Sequence, residues 1–372
     1  MSSARGQEYH KNELGVAWQH RIVREREGRF PLLGESANGI GKIFGAEFAA
    51  VLAGCGPFEW VALGYLAISS ALIVIFAGSL AHPLRLLSVQ ALVALLIVAL
   101  CRAEANVWIP ISTSSAERTA RNGCPTLTQR FWHFWRHWYP HLFFLFCFEE
   151  LGTLVHLVSP RWQDAKLIAF DHWLTGVHPA IWLEQFATPG RNEFMQFAYL
   201  TYFVYLLVLG GILYYREDWL GYWSVMTYSA VGYAIGYVIA IFFPIESPWF
   251  AMAGSWHGEL HGGPITAVIN FIEHYGRVRG AAFPSEHVAG SFAALWGAWR
   301  HRRWLFWVML PLVLCMCAST VWGRYHYVAD IFGGMVTGTL GYLIGKRLMK
   351  KQEDGYGRQL KAERVEFSLV PQ

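Results

Sequence analysis

The chain has 372 residues, 54% hydrophobic and only 15% charged, with 18 Trp, 17 Tyr and 25 Phe. That balance excludes an ordinary soluble domain and fits an integral membrane protein with aromatic belts at the bilayer interfaces. A formal charge of +4, with the arginines scattered between apolar segments, argues against nucleic acid and leaves the bilayer and a lipid-soluble substrate as expected partners.

Residues 1–45 mix both charges and read as a cytoplasmic N-terminal region with an amphipathic interfacial stretch. No short apolar core with a small-residue cleavage site is evident, so the first membrane helix should direct insertion. Segments able to cross about 30 Å of hydrocarbon run roughly Phe58 to Leu80, Leu86 to Trp108, Trp138 to Val158, Phe194 to Tyr215, Tyr222 to Phe243, Pro284 to Trp299, Trp304 to Trp322 and Tyr327 to Ile344. The expectation is an all-α polytopic bundle of about eight transmembrane helices. Residues 46–160 would hold the first spans, 161–346 the catalytic membrane domain, and 347–372 a solvated cytoplasmic tail.

Basic residues cluster in three short connections: Arg118, Arg121, Arg130 and Arg136; Arg300, Arg302 and Arg303; and Lys346, Arg347, Lys350 and Lys351. An even number of crossings puts all three on one side, which the positive-inside rule makes the cytoplasm, together with both termini. The segment Pro244 to Phe283 and the turn before Tyr327 then share the opposite face, outside, periplasmic or lumenal. A multi-pass protein of the cell membrane is expected.

Two motifs open on that face: Phe283-Pro284-Ser285-Glu286-His287, and Gly323-Arg324-Tyr325-His326-Tyr327 with Asp330. Ionisable groups beside a bilayer are costly, so a cluster drawn from two segments points to chemistry. His326 and Asp330 are four apart and share a helical face, so the carboxylate can orient one imidazole nitrogen and leave the other free. His287 follows Pro284 and Ser285 in a first helical turn, where free N–H groups favour an anion. Arg277, Arg279 and Arg324 flank the motifs, and guanidinium groups match phosphate oxygens; interfacial snorkelling is the bland alternative for each.

Pro284-Ser285-Glu286-His287 and His326-Tyr327-Val328-Ala329-Asp330 resemble the second and third signature motifs of the type 2 phosphatidic acid phosphatase (PAP2) superfamily. The resemblance implies a six-helix core and phosphoryl transfer on lipids, with His326 as nucleophile, Asp330 its orienting partner, His287 the acid and Ser285 a phosphate ligand. The family's first motif is absent at Phe243 to Phe250, and Thr320 stands six residues before His326 where the family has arginine. Arg277, Arg279 and Arg324 are the candidates to replace those ligands. The Pro-containing segment and Arg324 to Tyr327 look like the branch of inositol phosphorylceramide synthases and their bacterial relatives, and Phe170 to Pro179 looks like that branch's outer loop before the fourth span.

The expected mechanism runs through a phosphohistidine on His326, with water, a polyol such as inositol, or a sugar as acceptor. No cofactor or metal is required, because protein cations can neutralise the phosphate. A non-catalytic phospholipid transporter is the rival from another class; no inverted repeat or paired broken helices supports it. A serine protease using Ser285 lacks the nucleophile turn, and a metal site of His287, His326 and Asp330 would leave the arginines without purpose. Glu149 and Glu150 in the third span read as structural somewhat more than functional, and His156 as a packed residue. Gly232 with Gly236, Gly334 with Gly338, and Gly341 with Gly345 offer small faces for close helix contact. Cys55, Cys101, Cys124, Cys147, Cys315 and Cys317 read as free thiols.

Overall fold

The computed structural model describes residues 54–108 and 126–368. The expected N-terminal region 1–45, Arg118, Arg121 and Cys124 lie outside them. Among the described residues the chain is helical, without a strand. The principal helices are α1 (Pro57–Ile75), α2 (Pro83–Trp108), α3 (Leu127–Leu154), α4 (Asp164–Thr175), α5 (Pro179–Leu183), α6 (Pro189–Leu200), α7 (Tyr202–Tyr215), α8 (Trp219–Phe242), α9 (Pro248–Ala251), α10 (Pro264–Gly276), α11 (Glu286–His301), α12 (Arg303–Trp322) and α13 (Val328–Ser368).

Six described segments are long and apolar enough to cross a membrane: α1, the Pro83–Ala103 part of α2, α6 continuing into α7, α8, α12, and the Val328–Gly355 part of α13. Eight were expected. The two others are helical as well, but His137, His141, Glu149 and Glu150 reduce the apolarity of α3, and α11 has 16 residues. Beyond Ile344, where the last span was expected to end, α13 continues to Ser368 without a break.

Starts are set by local chemistry. Proline opens α1, α2, α5, α6, α9 and α10, where its missing N–H has no helical partner to lose. Thr126 caps α3 reciprocally with Gln129, at 3.3 Å and 2.8 Å. At the same end of the bundle a buried Arg136–Glu59 pair at 2.8 Å joins α3 to α1, with the Tyr139 hydroxyl donating to Glu59 at 2.7 Å. The expected ambiguity of two glutamates resolves in space: Glu149 is exposed, whereas Glu150 is buried and accepts from Gln90 of α2 at 3.0 Å. His156 lies exposed beyond α3, against Trp162. The five described cysteines are free thiols.

Small residues bring the two motif-bearing segments together. A Cβ on Gly334 would come within 2.5 Å of the Ser285 carbonyl oxygen, and one on Gly338 within 2.3 Å of that of Ala289. The backbones of α11 and α13 therefore touch, as glycine faces permit in a membrane bundle. Gly341 seats α13 on α8 in the same way, its Cβ position 2.5 Å from the Tyr228 carbonyl oxygen. Because α11 starts and α13 starts at one end of the bundle, this seam puts the two histidine motifs side by side.

Candidate active site

His326 sits in the turn that reverses the chain from α12 into α13. Its backbone is fixed by the end of α12: Tyr325 N and His326 N both donate to the Thr320 carbonyl, at 2.9 Å and 3.1 Å. Arg324 takes a left-handed conformation there, φ 64°, an uncommon state for a residue with a side chain. The next helix is capped from a distance. Asp171 of α4 accepts from Val328 N at 2.8 Å and Ala329 N at 3.0 Å, so its carboxylate sits on the positive end of α13. Asp164, two turns earlier on the same face of α4, takes Tyr327 OH at 2.9 Å and the Glu246 and Ser247 amides at 2.9 Å and 3.2 Å. Burial pushes both carboxyls above the usual range, and those bonds pull them back. The segment Phe170 to Pro179, expected as an outer loop, is thus largely α4, and the two aspartates of that helix fix the turn that carries His326.

The imidazole of His326 is oriented by two acceptors on one nitrogen. Nδ1 lies 2.9 Å from the Ala282 carbonyl oxygen and 3.2 Å from Asp330 Oδ2. The same Oδ2 accepts from Tyr327 N at 2.8 Å. Nδ1 therefore carries the proton, and Nε2 presents its lone pair. Burial pulls this imidazole down to about 4, outweighing the upward pull of the Ala282 carbonyl and of Glu273, so the lone pair stays available at neutral pH.

Facing that lone pair is His287, its Nδ1 3.1 Å from His326 Nε2. Ser285 caps α11, its hydroxyl accepting from Val288 N at 3.4 Å, and its own amide donates to the Asp330 carbonyl at 3.0 Å. This backbone bond joins the two motifs directly. The other nitrogen of His287 meets the Tyr199 hydroxyl at 2.8 Å, and Tyr199 in turn donates to Glu273 Oε1 at 2.7 Å. Rings of Tyr199 and Tyr202 lie 5.0 Å and 4.5 Å from the His287 ring. A small cavity lined by Ile168, Asp171, His178, Met252 and Val321 reaches His326 from the other side.

Each of the three flanking arginines is paired with a glutamate. Arg277 Nε meets Glu273 Oε2 at 2.7 Å, Arg279 pairs with Glu246, and Arg324 Nη2 meets Glu184 Oε1 at 2.6 Å. Arg324 also donates to the Gly258 carbonyl at 2.7 Å and is buried beneath the Trp256 ring. Burial lowers its guanidinium from the usual range and Glu184 offsets part of that. Arg277 packs over Trp249, Phe250 and Tyr325, and Arg279 is half exposed. Sequence reasoning missed Asp164, Asp171, Tyr199, Glu184 and Glu273. None stands in a motif with the histidines, and each reaches them only through the fold.

Residues 165–344, just under half of the chain, match a family model described as the PAP2 superfamily. The match and the membrane-like helices support a membrane phosphatase or phosphotransferase family. Comparison with the curated proteins and with the solved structures finds no match.

Proposed function

We propose that the protein is a lipid phosphatase or phosphotransferase that works through a phosphohistidine on His326 Nε2. The observation that carries this reading is the 3.1 Å approach of His287 Nδ1 to His326 Nε2, with Asp330 and the Ala282 carbonyl fixing the opposite nitrogen. One nitrogen has a lone pair and a held tautomer, which is what a nucleophile needs. The other faces that lone pair, and a phosphate that parts the two rings would set its leaving oxygen against it, which is what a general acid needs.

In the first step His326 Nε2 bonds to phosphorus, the phosphorus–oxygen bond to the lipid breaks, and His287 gives its Nδ1 proton to the departing oxygen. In the second, water or an alcohol attacks phosphorus, His287 takes the acceptor's proton, and the electron pair returns to His326. Asp330 stabilises the cationic ring of the intermediate. Arg277, Arg279 and Arg324, each held by a carboxylate, and the first-turn amides of α11 behind Ser285 are the groups offered to the phosphate oxygens. The site opens away from the cytoplasm, in a cell-membrane protein with both termini inside, because Arg300, Arg302, Arg303, Lys346 and Lys350 lie toward the other ends of α11 and α13.

The finer reading is transfer of an inositol-phosphate or other phosphoalcohol group to a lipid acceptor, as in the branch that Phe170 to Pro179 and Arg324 to Tyr327 resemble. The purified protein in detergent, incubated with a labelled phospholipid panel with and without inositol, tests both. Free phosphate marks a hydrolase and a new phosphodiester marks a transferase. Wild-type turnover by His326→Ala on every lipid phosphate would refute the mechanism.

A further inference from the structure

Asp330 serves His326; on the other half of the pair the same service comes from outside the motifs. We propose that Tyr199 and Glu273 form a positioning relay for His287, holding its proton on Nε2 so that Nδ1 is the nitrogen that gives and takes protons. The proposal rests on the reading of His287 as acid and base, and it adds two residues to that role.

The bonds form one line. From Ala282 and Asp330 it passes through His326, His287 and Tyr199 to Glu273, at 2.9 Å and 3.2 Å, 3.1 Å, 2.8 Å and 2.7 Å in turn. Both ends are acceptors. A carboxylate only accepts, so the single phenolic proton of Tyr199 goes to Glu273 and its oxygen must accept from His287 Nε2–H. That settles the tautomer: neutral His287 has its lone pair on Nδ1, toward His326. His326, protonated on Nδ1, also turns a lone pair toward His287. A proton between them completes the line, and it is the proton the acid step delivers.

Proton balance through the cycle follows. Loaded His287 carries protons on both nitrogens, its positive charge one phenol away from the Glu273 carboxylate. Transfer of the Nδ1 proton to the leaving oxygen leaves the neutral Nε2–H tautomer, already held by Tyr199. That tautomer is the base the second step requires, so no ring flip or proton exchange intervenes. Without the relay, neutral His287 could rest as the Nδ1–H tautomer, which cannot accept a proton from water or alcohol at the reacting face.

The relay residues are built to be rigid. Tyr199 is buried, 1% exposed, and its ring packs 4.6 Å from that of Tyr325. Glu273 is anchored by Arg277 through its second oxygen at 2.7 Å. Position is supplied by α10, whose buried Ile269 joins Tyr199 and Tyr325 in one apolar cluster while Phe271 and Tyr275 face outward.

Two measurements test it. Histidine labelled with ¹⁵N in the detergent-solubilised protein reports tautomers directly, and the His287 signals are those lost in His287→Gln. The expected result is a protonated Nε2 in the wild type, with the tautomer protonated on Nδ1 alone gaining in both Tyr199→Phe and Glu273→Gln. A wild-type ring protonated on Nδ1 alone, or a pattern unchanged by both variants, overturns the relay whatever the enzyme's substrate. Glu273 reaches the protein edge, so Glu273→Gln decides the matter if Tyr199→Phe does not fold. In turnover of the labelled lipid panel, each variant should lose about 10-fold or more in kcat, below the roughly 100-fold or more of His287→Ala, and neither should slow His287→Ala further. Multiplying losses overturn the relay while leaving the role of His287 intact, and unaltered turnover in His287→Ala sinks the underlying reading instead.

Discussion

Replacing Asp330 by asparagine removes the charge behind His326 while keeping the side chain's shape. Only Oδ2 is used, by His326 Nδ1 at 3.2 Å and Tyr327 N at 2.8 Å, so an amide oxygen in that place can accept both. A bond to a charged group contributes about 1.5–3 kcal/mol against about 0.5–1.5 for a neutral one, a loss of roughly 1–2 kcal/mol at the nucleophile. The larger penalty known when a catalytic triad loses its aspartate, about ten-thousand-fold, comes from the wrong tautomer. Here the Ala282 carbonyl at 2.9 Å holds the same proton independently. Asp330→Asn should therefore slow turnover by roughly 5- to 30-fold. Asp330→Ala should cost about 1–3 kcal/mol more in stability, because the Tyr327 amide loses its acceptor in a buried site. Initial rates on the lipid phosphate panel, beside thermal unfolding in detergent, measure both. If Asp330→Asn is as inactive as His326→Ala, the carbonyl does not hold the tautomer and the reasoning fails.

Asp171→Ala should lower stability by about 2–4 kcal/mol, since two buried amides at the start of α13 lose a charged acceptor; a midpoint in detergent within a degree of wild type would contradict the cap. The acid limb of kcat/KM should lie nearer pH 4 than the 6.5 of a free imidazole, because burial keeps His326 neutral. The sign for stability is the same: between those values the unfolded chain binds the proton that native His326 does not, so the contribution is lost as pH falls. A pH–rate series showing a limb at 6.5 would remove burial as the controlling term. Gly338→Val should wedge α11 from α13, since even a Cβ there falls 2.3 Å from a backbone oxygen. The expected result is loss of turnover with a destabilisation of about 1–3 kcal/mol, and normal kinetics would mean that the seam does not set the histidine spacing.

Much of this site was legible because its signals are short. A proline and a serine at a helix start, a histidine and an aspartate four apart, and glycine pairs four apart are read within a turn or two. The end of the bundle on which both motifs fall also follows from counting apolar runs. The groups that support the site are separated from it along the chain: Asp171 from Val328 by 157 residues, Glu184 from Arg324 by 140, and Tyr199 from His287 by 88. No periodicity marks such pairs. Resemblance marks Phe170 to Pro179 as an outer loop and gives no sign of α4, and Asp171, His172 and Gly176 are loop-favouring residues. There the aspartate instead caps another helix and Gly176 ends its own, at φ 74°. Similarly, the charged stretch after Lys350 has no apolar face to announce a helix, yet α13 carries it onward.

The arrangement also says what a substrate must do on arrival. Two nitrogens at 3.1 Å leave no space for a phosphorus atom, whereas attack from about 3–3.5 Å, the phosphorus–oxygen bond itself and a hydrogen bond of about 2.8 Å to the leaving oxygen need well over about 6 Å between them when in line. The contact is a resting bond that the phosphate replaces, nitrogen for phosphorus on one side and nitrogen for oxygen on the other. His326 is held by the end of α12, by Asp330 and by the Ala282 carbonyl, so the cost of moving it is spread over several buried bonds. His287 is fixed by one bond to Tyr199 and by ring contacts with Tyr199 and Tyr202. The side chain that yields is therefore His287, and its opening must keep Nε2 on Tyr199 if the proton is to stay on the face that reacts.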